Sequence, residues 1–354
     1  MCDAAKKAII EHLDDFGNPS SAYEFGRKSR LLIEDARERI AKCINAKPEE
    51  IYFTSGGSEA NTWALYRKDV LASNIEHHSV DADAKFRVDN YGIVDLGAFS
   101  RSIENYSEMV WDMFDIAVSC AMVNNEIGTI QPIKQIVHEA HEYHAQCHVD
   151  AVQAIGHIPV DVKELGIDLL SAAGHKFGAP KGVGFLYIKS GVAVDKLIHG
   201  GKQENGMRGS TENTLGIVSM AAALEDAVEH MEERNAYIKS LRDKMLEKLL
   251  EIPGSHLNGS LENRVVSNIN IRFDGISGQQ LVALCDLYGI CISTGSACNE
   301  GMPTPSHVLK AIGLSDEEAL NSIRITIGHT NTEEEINQAA NIIIKLVERM
   351  RENE

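Results

Sequence analysis

Long apolar runs are missing from this sequence. No stretch of its 354 residues approaches the ~20 consecutive apolar residues that cross a bilayer. The opening MCDAAKKAIIEHLDDFGN has no apolar signal core and carries acids, so the chain reads as cytoplasmic, with no membrane partner. Positive charge is also scarce. Lys and Arg number 34 against 52 Asp and Glu, a formal net charge of −18. A phosphate backbone demands clustered Lys and Arg, so no direct nucleic-acid partner is expected; a basic protein partner stays compatible with the acidic surface. No CxxC pair occurs, which removes the usual structural zinc ligands, and no metal is expected. The seven cysteines (Cys2, Cys43, Cys120, Cys147, Cys285, Cys291 and Cys298) are odd in number and do not resemble a disulfide framework. Internal repeats and low-complexity segments are absent too.

What is present is ordinary globular material. Hydrophobic residues make up 44% and charged residues 24%, enough for a sizeable core, and the length suits one large domain plus a smaller one. Ser29 to Cys43 reads as an amphipathic helix with Leu32, Ala36, Ile40 and Cys43 on one stripe. IYFTSGGSEAN (51–61) reads as strand, Gly-rich turn and helix start. AVSCAMV (117–123) suits a buried parallel strand, Ile133 to His144 a helix, and CHVDAVQ (147–153) a further strand start. Strand-like stretches follow at Ile167–Ala173 and Gly182–Ile188. Strands alternating with helices indicate an α/β fold around a largely parallel sheet. Thr214 to about Leu250 reads as one long connecting helix. Strand-like Ser267–Phe273 and Ile323–Ile327, then a helix from Thr332, suggest a smaller α+β domain. The expected division is 16–232 for the large domain, with 1–15 and 233–354 forming the small one.

Four stretches carry chemical interest. In SGGSEAN (55–61) a glycine turn enters a helix, whose first amides and dipole suit a phosphate, with the Ser58 hydroxyl as a further donor. The bland reading is a turn and helix cap. Lys176 stands in the Gly-rich, nearly uncharged SAAGHKFGAPKGVGFLY (171–187). It is either a surface loop lysine or an amine tuned for a Schiff base. Asp150, in HVDAVQ (148–153), falls at a strand end, where it either caps the next turn or pairs with a protonated pyridine nitrogen. Cys298, in STGSACNEG (293–301), sits among small residues, either buried and inert or exposed as a thiolate.

Together with FGNPSS (16–21), IEHHSV (75–80), NNEIGTIQPI (124–133), GGKQENGMRGSTEN (200–213), PSHVLKAIGL (305–314) and SIRITIG (322–328), these strings make a pattern along almost the whole chain. It resembles the cysteine desulfurases of the class V aminotransferase family, the group supplying sulfur for iron–sulfur clusters and tRNA thiolation. The resemblance implies fold-type I of the pyridoxal 5'-phosphate (PLP) enzymes. That fold has a large domain with a mostly parallel seven-stranded sheet, a smaller α+β domain carrying the Cys298 loop, and a homodimeric assembly. It implies that Lys176 forms the Schiff base with PLP, that Asp150 pairs with the pyridinium nitrogen, and that His77 stacks on the ring and assists proton transfer. Asn125 and Gln153 would bond the phenolic oxygen; Gly57, Ser58 and His175 would hold the phosphate region. Thr211 would reach the cofactor phosphate of the partner subunit. Asn125 would also approach the carboxylate of L-cysteine, which Arg324 would grip bidentately. Cys298 would take the sulfur as a persulfide and pass it to an acceptor protein.

The pattern is departed from in places. The family opens with a short strand and a D-x-A-A-T-T loop lining the pocket, whereas this chain begins in the helix that follows. Ala173 stands where the family has a phosphate-bonding serine, and Ser58 where it mostly has threonine. The expectation is that fold and dimer are kept and turnover is weakened. Rival readings are a selenocysteine lyase or other class V enzyme, and a non-catalytic scaffold. The run HEAHEYHAQCH (138–148) reads as a solvated helix face rather than a metal site, Cys285 as helix core and Cys291 as strand core. Cys298→Ala should still bind PLP yet release almost no alanine from L-cysteine; normal turnover would end the nucleophile assignment.

Overall fold

A computed structural model describes residues 1–109, 116–295 and 304–352. The chain divides into two compact units. The larger comprises residues 1–86, 96–122 and 132–231; the smaller comprises 87–95, 123–131 and 232–354.

The larger unit is built on a seven-stranded sheet. Its strands are β1 (Ile51–Thr54), β2 (Asp69–Ser73), β3 (Ala84–Phe86), β4 (Ile116–Ala121), β5 (Gln146–Asp150), β6 (Leu169–Ala173) and β7 (Gly184–Ile188). Their spatial order is β1-β7-β6-β5-β4-β2-β3. Strands β3, β2, β4, β5 and β6 run parallel, whereas β7 is antiparallel to both its neighbours. The expected mostly parallel α/β sheet is therefore present. Every residue of β4, β6 and β7 is buried, as expected for strands covered on both faces. In register, Ala121 of β4 lies opposite Asp150 of β5, and Asp150 opposite Ser171 of β6. The carboxyl ends of the parallel strands thus form one edge, where ligands of open α/β sheets bind.

The first helix, Asp3–Glu11, belongs to the larger unit rather than to the small domain expected for residues 1–15. It packs on the helix Thr214–Glu229, and the Cys2 N–H donates to Gly178 O at 2.8 Å. The expected single helix from Thr214 to Leu250 is two, Thr214–Glu229 and Met231–Leu250, broken at His230. The helix Glu24–Cys43 buries Ile33, Ala36, Arg37, Ile40 and Ala41, so its inner stripe is turned from the one expected through Leu32 and Cys43.

Arg37 explains that turn. Its guanidinium bonds Glu204 through two contacts of 2.8 Å, with both side chains almost completely buried. It also donates to Ile51 O at 2.5 Å and lies 4.7 Å from the centre of the Phe53 ring. Glu204 accepts the Phe53 N–H at 2.8 Å and occupies the left-handed region with φ 45°. A sequence-distant ion pair therefore clamps the loop that leads to Thr211.

The smaller unit holds a three-stranded antiparallel sheet of β8 (Ser255–Leu257), β9 (Asn268–Phe273) and β10 (Ser322–Thr326), in the order β10-β9-β8. Ile269, Ile271 and Phe273 of β9 share its core with Leu241, Leu249, Leu281, Ile343 and Val347 from surrounding helices. Residues 123–131 join this unit through Ile130 N–H to Asn263 O at 2.9 Å and a bridge between Thr129 and Arg264. Cys285 is buried in its helix as expected, but Cys291 is exposed and outside any strand. Only an isolated bridge at Ser293 to Arg324 replaces the expected ladder there. Among the described residues, no helix is long and apolar enough to cross a membrane.

Removing one partner of a buried ion pair strands the other charge. Arg37→Ala should lower the larger unit's stability by about 3–5 kcal/mol in urea unfolding; a loss under ~1 kcal/mol would contradict the clamp.

Candidate functional site

At the carboxyl edge of the large sheet, β5 ends on Asp150. Its carboxyl is buried, and burial raises its pKa; hydrogen bonds from Asn61 and Val152 and the nearby Lys176 charge oppose that rise, as His77 does when protonated. The Asn61 Nδ2 donates to Oδ2 at 2.7 Å, and the Val152 N–H donates to Oδ1 at 2.9 Å. A positive group facing this carboxyl would complete its compensation. Lys176 follows β6 in a single 3-10 turn, Gly174–Lys176, with its carbonyl accepting from His157 Nε2 at 2.9 Å. His175, beside it, is held below the usual imidazole range by partial burial and by the charges of Lys176 and Lys181.

His77 lies on the segment after β2. Its exposed ring faces Ser79, with Nδ1 2.7 Å from Ser79 Oγ. The preceding Glu76 is buried, and burial, with the Asp150 charge beyond, pushes its carboxyl up to about 7. Its Oε1 accepts the Ala121 N–H at 2.8 Å and the Ser73 hydroxyl, which pins this segment to the end of β4.

The helix Gly57–Ala64 begins beside these groups. Gly56 supplies no side-chain cap, so the first-turn amides carry none. A Cβ at Gly57 would lie 2.6 Å from Val152 Cγ2 and 3.5 Å from Ala173 Cβ, so glycine is required for this close approach to the ends of β5 and β6. The resulting cradle, with Ser58 exposed at its rim, has the donor chemistry of a phosphate site. Buried Ala173 contributes a methyl group there, not a hydroxyl. Gln153 is half-buried just past Asp150, and Thr211 is exposed. The Thr211 loop is tied to the cradle helix by Arg208, which bonds Glu59 at 2.9 and 3.1 Å. Glu59 also accepts the Ser55 N–H at 2.8 Å. Ser55, Arg208, Ser210, Thr211 and Glu212, among others, line a pocket there.

In the smaller unit, Arg324 on β10 donates from Nη1 to Asn125 O at 3.1 Å, so the expected substrate-binding pair meets. The next residue, Glu126, is buried, its carboxyl pushed up to about 7 by burial and held partly down by Ser306 and Arg324. Ser306 Oγ donates to its Oε2 at 2.5 Å, and a Cβ at Gly295 would collide with the same oxygen. Cys298 lies outside the described residues. The histidine run forms no metal site among the described residues. Instead, His141 bonds Asp168 at 2.7 Å, and His148 is buried in β5 between Ser119 and Ser171, each at 2.9 Å.

Asn61, Ser79, Glu76 and Glu126 belong to the site as well, without a role among those the sequence implies. Their signal was membership of SGGSEAN, IEHHSV and NNEIGTIQPI, strings that carry more polar residues than the expected roles used.

The aminotransferase class-V family description matches residues 4–339. A "Cysteine desulfurase IscS" of Clostridium botulinum is 44% identical over 369 residues, covering 98% of this chain and 92% of that protein. The protein of the same name from Methanosarcina thermophila is 41% identical, covering 98% and 90%. The crystal structure of a NifS-like protein from Rickettsia africae superposes with a TM-score of 0.90 at 31% identity, covering 99% and 96%.

Burial lowers the His148 pKa from 6.5 to about 3, so the native chain keeps this imidazole neutral where the unfolded chain protonates it. The unfolded state then binds more protons, and the contribution of His148 to stability is lost as pH falls below 6.5 toward 3, by about 1.4 kcal/mol per pH unit. His148→Gln should flatten the pH dependence of unfolding in that window; an unchanged slope would show that His148 is already protonated in the fold.

Proposed function

The chain belongs to the class-V aminotransferase family, and from that premise we propose that it is a PLP-dependent cysteine desulfurase converting L-cysteine to L-alanine. The observation that carries the reading is the convergence of Asp150, Lys176, His77 and the Gly57 cradle on one sheet edge. A purely binding protein has no need of a buried carboxylate electrostatically coupled to a lysine and a histidine. The full-length similarity to cysteine desulfurases favours cysteine as the substrate. The two compact units are read as the large PLP-binding domain and the small domain.

When bound, PLP supplies an electrophilic aldehyde and a ring that stabilises negative charge at the substrate α-carbon. Gly57 and Ser58 in the cradle, with neighbouring His175, would hold its phosphate; Thr211 would serve the cofactor of the partner subunit in a homodimer. Asp150 would keep the pyridine nitrogen protonated, while Asn125 and Gln153 would bond the phenolic oxygen. His77 would cover the ring face. Arg324 would hold the carboxylate of L-cysteine through paired N–H donors, beside Asn125. Lys176 Nζ would take the α-proton, and His77 would assist later proton movements. The Cys298 thiolate would then attack the substrate sulfur. The S–Cβ bond of the substrate breaks as the S–S bond forms, leaving a persulfide on Cys298. The three-carbon skeleton keeps the electron pair, gains a proton at Cβ, regains one at Cα and leaves as alanine. A thiol of an acceptor protein would discharge the persulfide by exchange, for iron–sulfur cluster or tRNA thiolation pathways. We place these steps in the cytoplasm, where the chain's free cysteines would stay reduced.

The purified chain, mixed with PLP, L-cysteine and a thiol that discharges the persulfide, should release alanine at a stoichiometry well above one per subunit. Lys176→Ala should lower the rate by about 10²–10⁴-fold or more, the scale of a lost general base. Absence of alanine from the PLP-loaded wild-type chain would overturn the reading.

A further inference from the structure

Asn61 and Ser79 have no part in the reaction described above, yet they connect two of its residues. Asn61 is almost completely buried, and its Nδ2 reaches both Asp150 Oδ2 at 2.7 Å and Ser79 Oγ at 2.9 Å. Ser79 in turn contacts His77 twice: Oγ lies 2.7 Å from Nδ1, and the backbone N–H donates to Nδ1 at 3.1 Å. Asp150, Asn61, Ser79 and His77 thus form one chain of hydrogen bonds, from the end of β5 through the cradle helix to the segment after β2.

The direction of every bond in this chain follows from donor chemistry. A backbone N–H can only donate, so the Nδ1 of His77 is the acceptor and carries no proton. The Ser79 hydroxyl must then donate to the same Nδ1, which leaves its lone pairs to accept from Asn61 Nδ2. Against ionised Asp150 only the amide nitrogen of Asn61 can face the carboxylate, so both Asn61 hydrogens are committed. Its Oδ1 is buried without a hydrogen-bond partner among the described residues, so the amide serves the chain through its nitrogen.

We propose that Asn61 and Ser79 are positioning residues that join Asp150 and His77 into one hydrogen-bonded unit and hold His77 in the Nε2–H tautomer. The proton of the imidazole then sits on the ring nitrogen turned away from Ser79, and the ring cannot rotate without breaking the bonds at Nδ1. The chain couples ring placement to the carboxylate expected to meet the cofactor nitrogen, so a disturbance at either end is felt at the other. This inference rests on the desulfurase reading for its functional meaning, though not for its geometry.

The test uses the full chain labelled with [15N]histidine, with and without PLP, and reads the ring nitrogens of His77 by NMR, assigned by their loss in His77→Gln. Wild type should show one tautomer with the proton on Nε2. Ser79→Ala removes the hydroxyl donor at 2.7 Å and leaves only the longer 3.1 Å amide contact at Nδ1, too weak to hold one tautomer alone, so it should show mixed tautomers and a kcat lowered ~10-fold or more. Ser79→Thr, which keeps the hydroxyl, should restore both. Ser79 is not a core residue, so its variants avoid the folding penalty that Asn61→Ala invites. A Ser79→Ala protein that keeps the wild-type tautomer, or loses it with kcat unchanged, would overturn the proposal. Because the tautomer is read on the protein at rest, it decides the proposal even if the wild-type chain releases no alanine, the result that would instead overturn the desulfurase reading.

Discussion

A carboxyl group buried at the end of a central strand is the constraint around which the larger unit is arranged. Asp150 has lost most of its water, and an unpaired buried charge is costly. Its compensation comes from elements far apart in sequence: Asn61 on the cradle helix, the Val152 amide at the turn after β5, His77 after β2 and Lys176 after β6. Each partner is placed by a strand ending at the same edge. Parallel register makes this convergence possible, because Ala121, Asp150 and Ser171 lie abreast. An acid held in this way, with a lysine and a histidine in its field, suits the cationic ring nitrogen proposed as its partner.

The supports of this edge are themselves buried polar contacts. Glu76 fastens the His77 segment to the end of β4, and the Arg37–Glu204 pair clamps a left-handed loop on the way to Thr211. The smaller unit repeats the device. Glu126, buried beside Ser306 and against Gly295, neighbours Asn125, whose carbonyl receives Arg324. Such contacts are costly to build and destabilising to break on one side only, which gives the side chains they hold a narrow range of positions.

Much of this was legible in the sequence. The apolar run at 117–123 reads as a buried parallel strand, and its residues 117–121 lie in β4; the Gly-rich turn at 55–57 reads as the entry to a helix, which begins at Gly57. The rest depended on partners that local pattern does not reveal. The stripe of Glu24–Cys43 is turned because Arg37 meets a glutamate 167 residues away. The break at His230 has no proline or glycine to mark it, so Thr214 to Leu250 read as one helix. The first helix could not be placed without knowing that it lies on residues 214–229. Asn61 lies within SGGSEAN, but its partner Asp150 is 89 positions further on.

Lys176, within electrostatic reach of the buried Asp150, is the residue proposed to hold PLP. Borohydride reduction of the PLP-loaded chain, followed by peptide mapping, tests it most directly. The account requires a stable phosphopyridoxyl label on Lys176, lost when Lys176 is changed to alanine. A label distributed over other lysines, or none at Lys176, would contradict it.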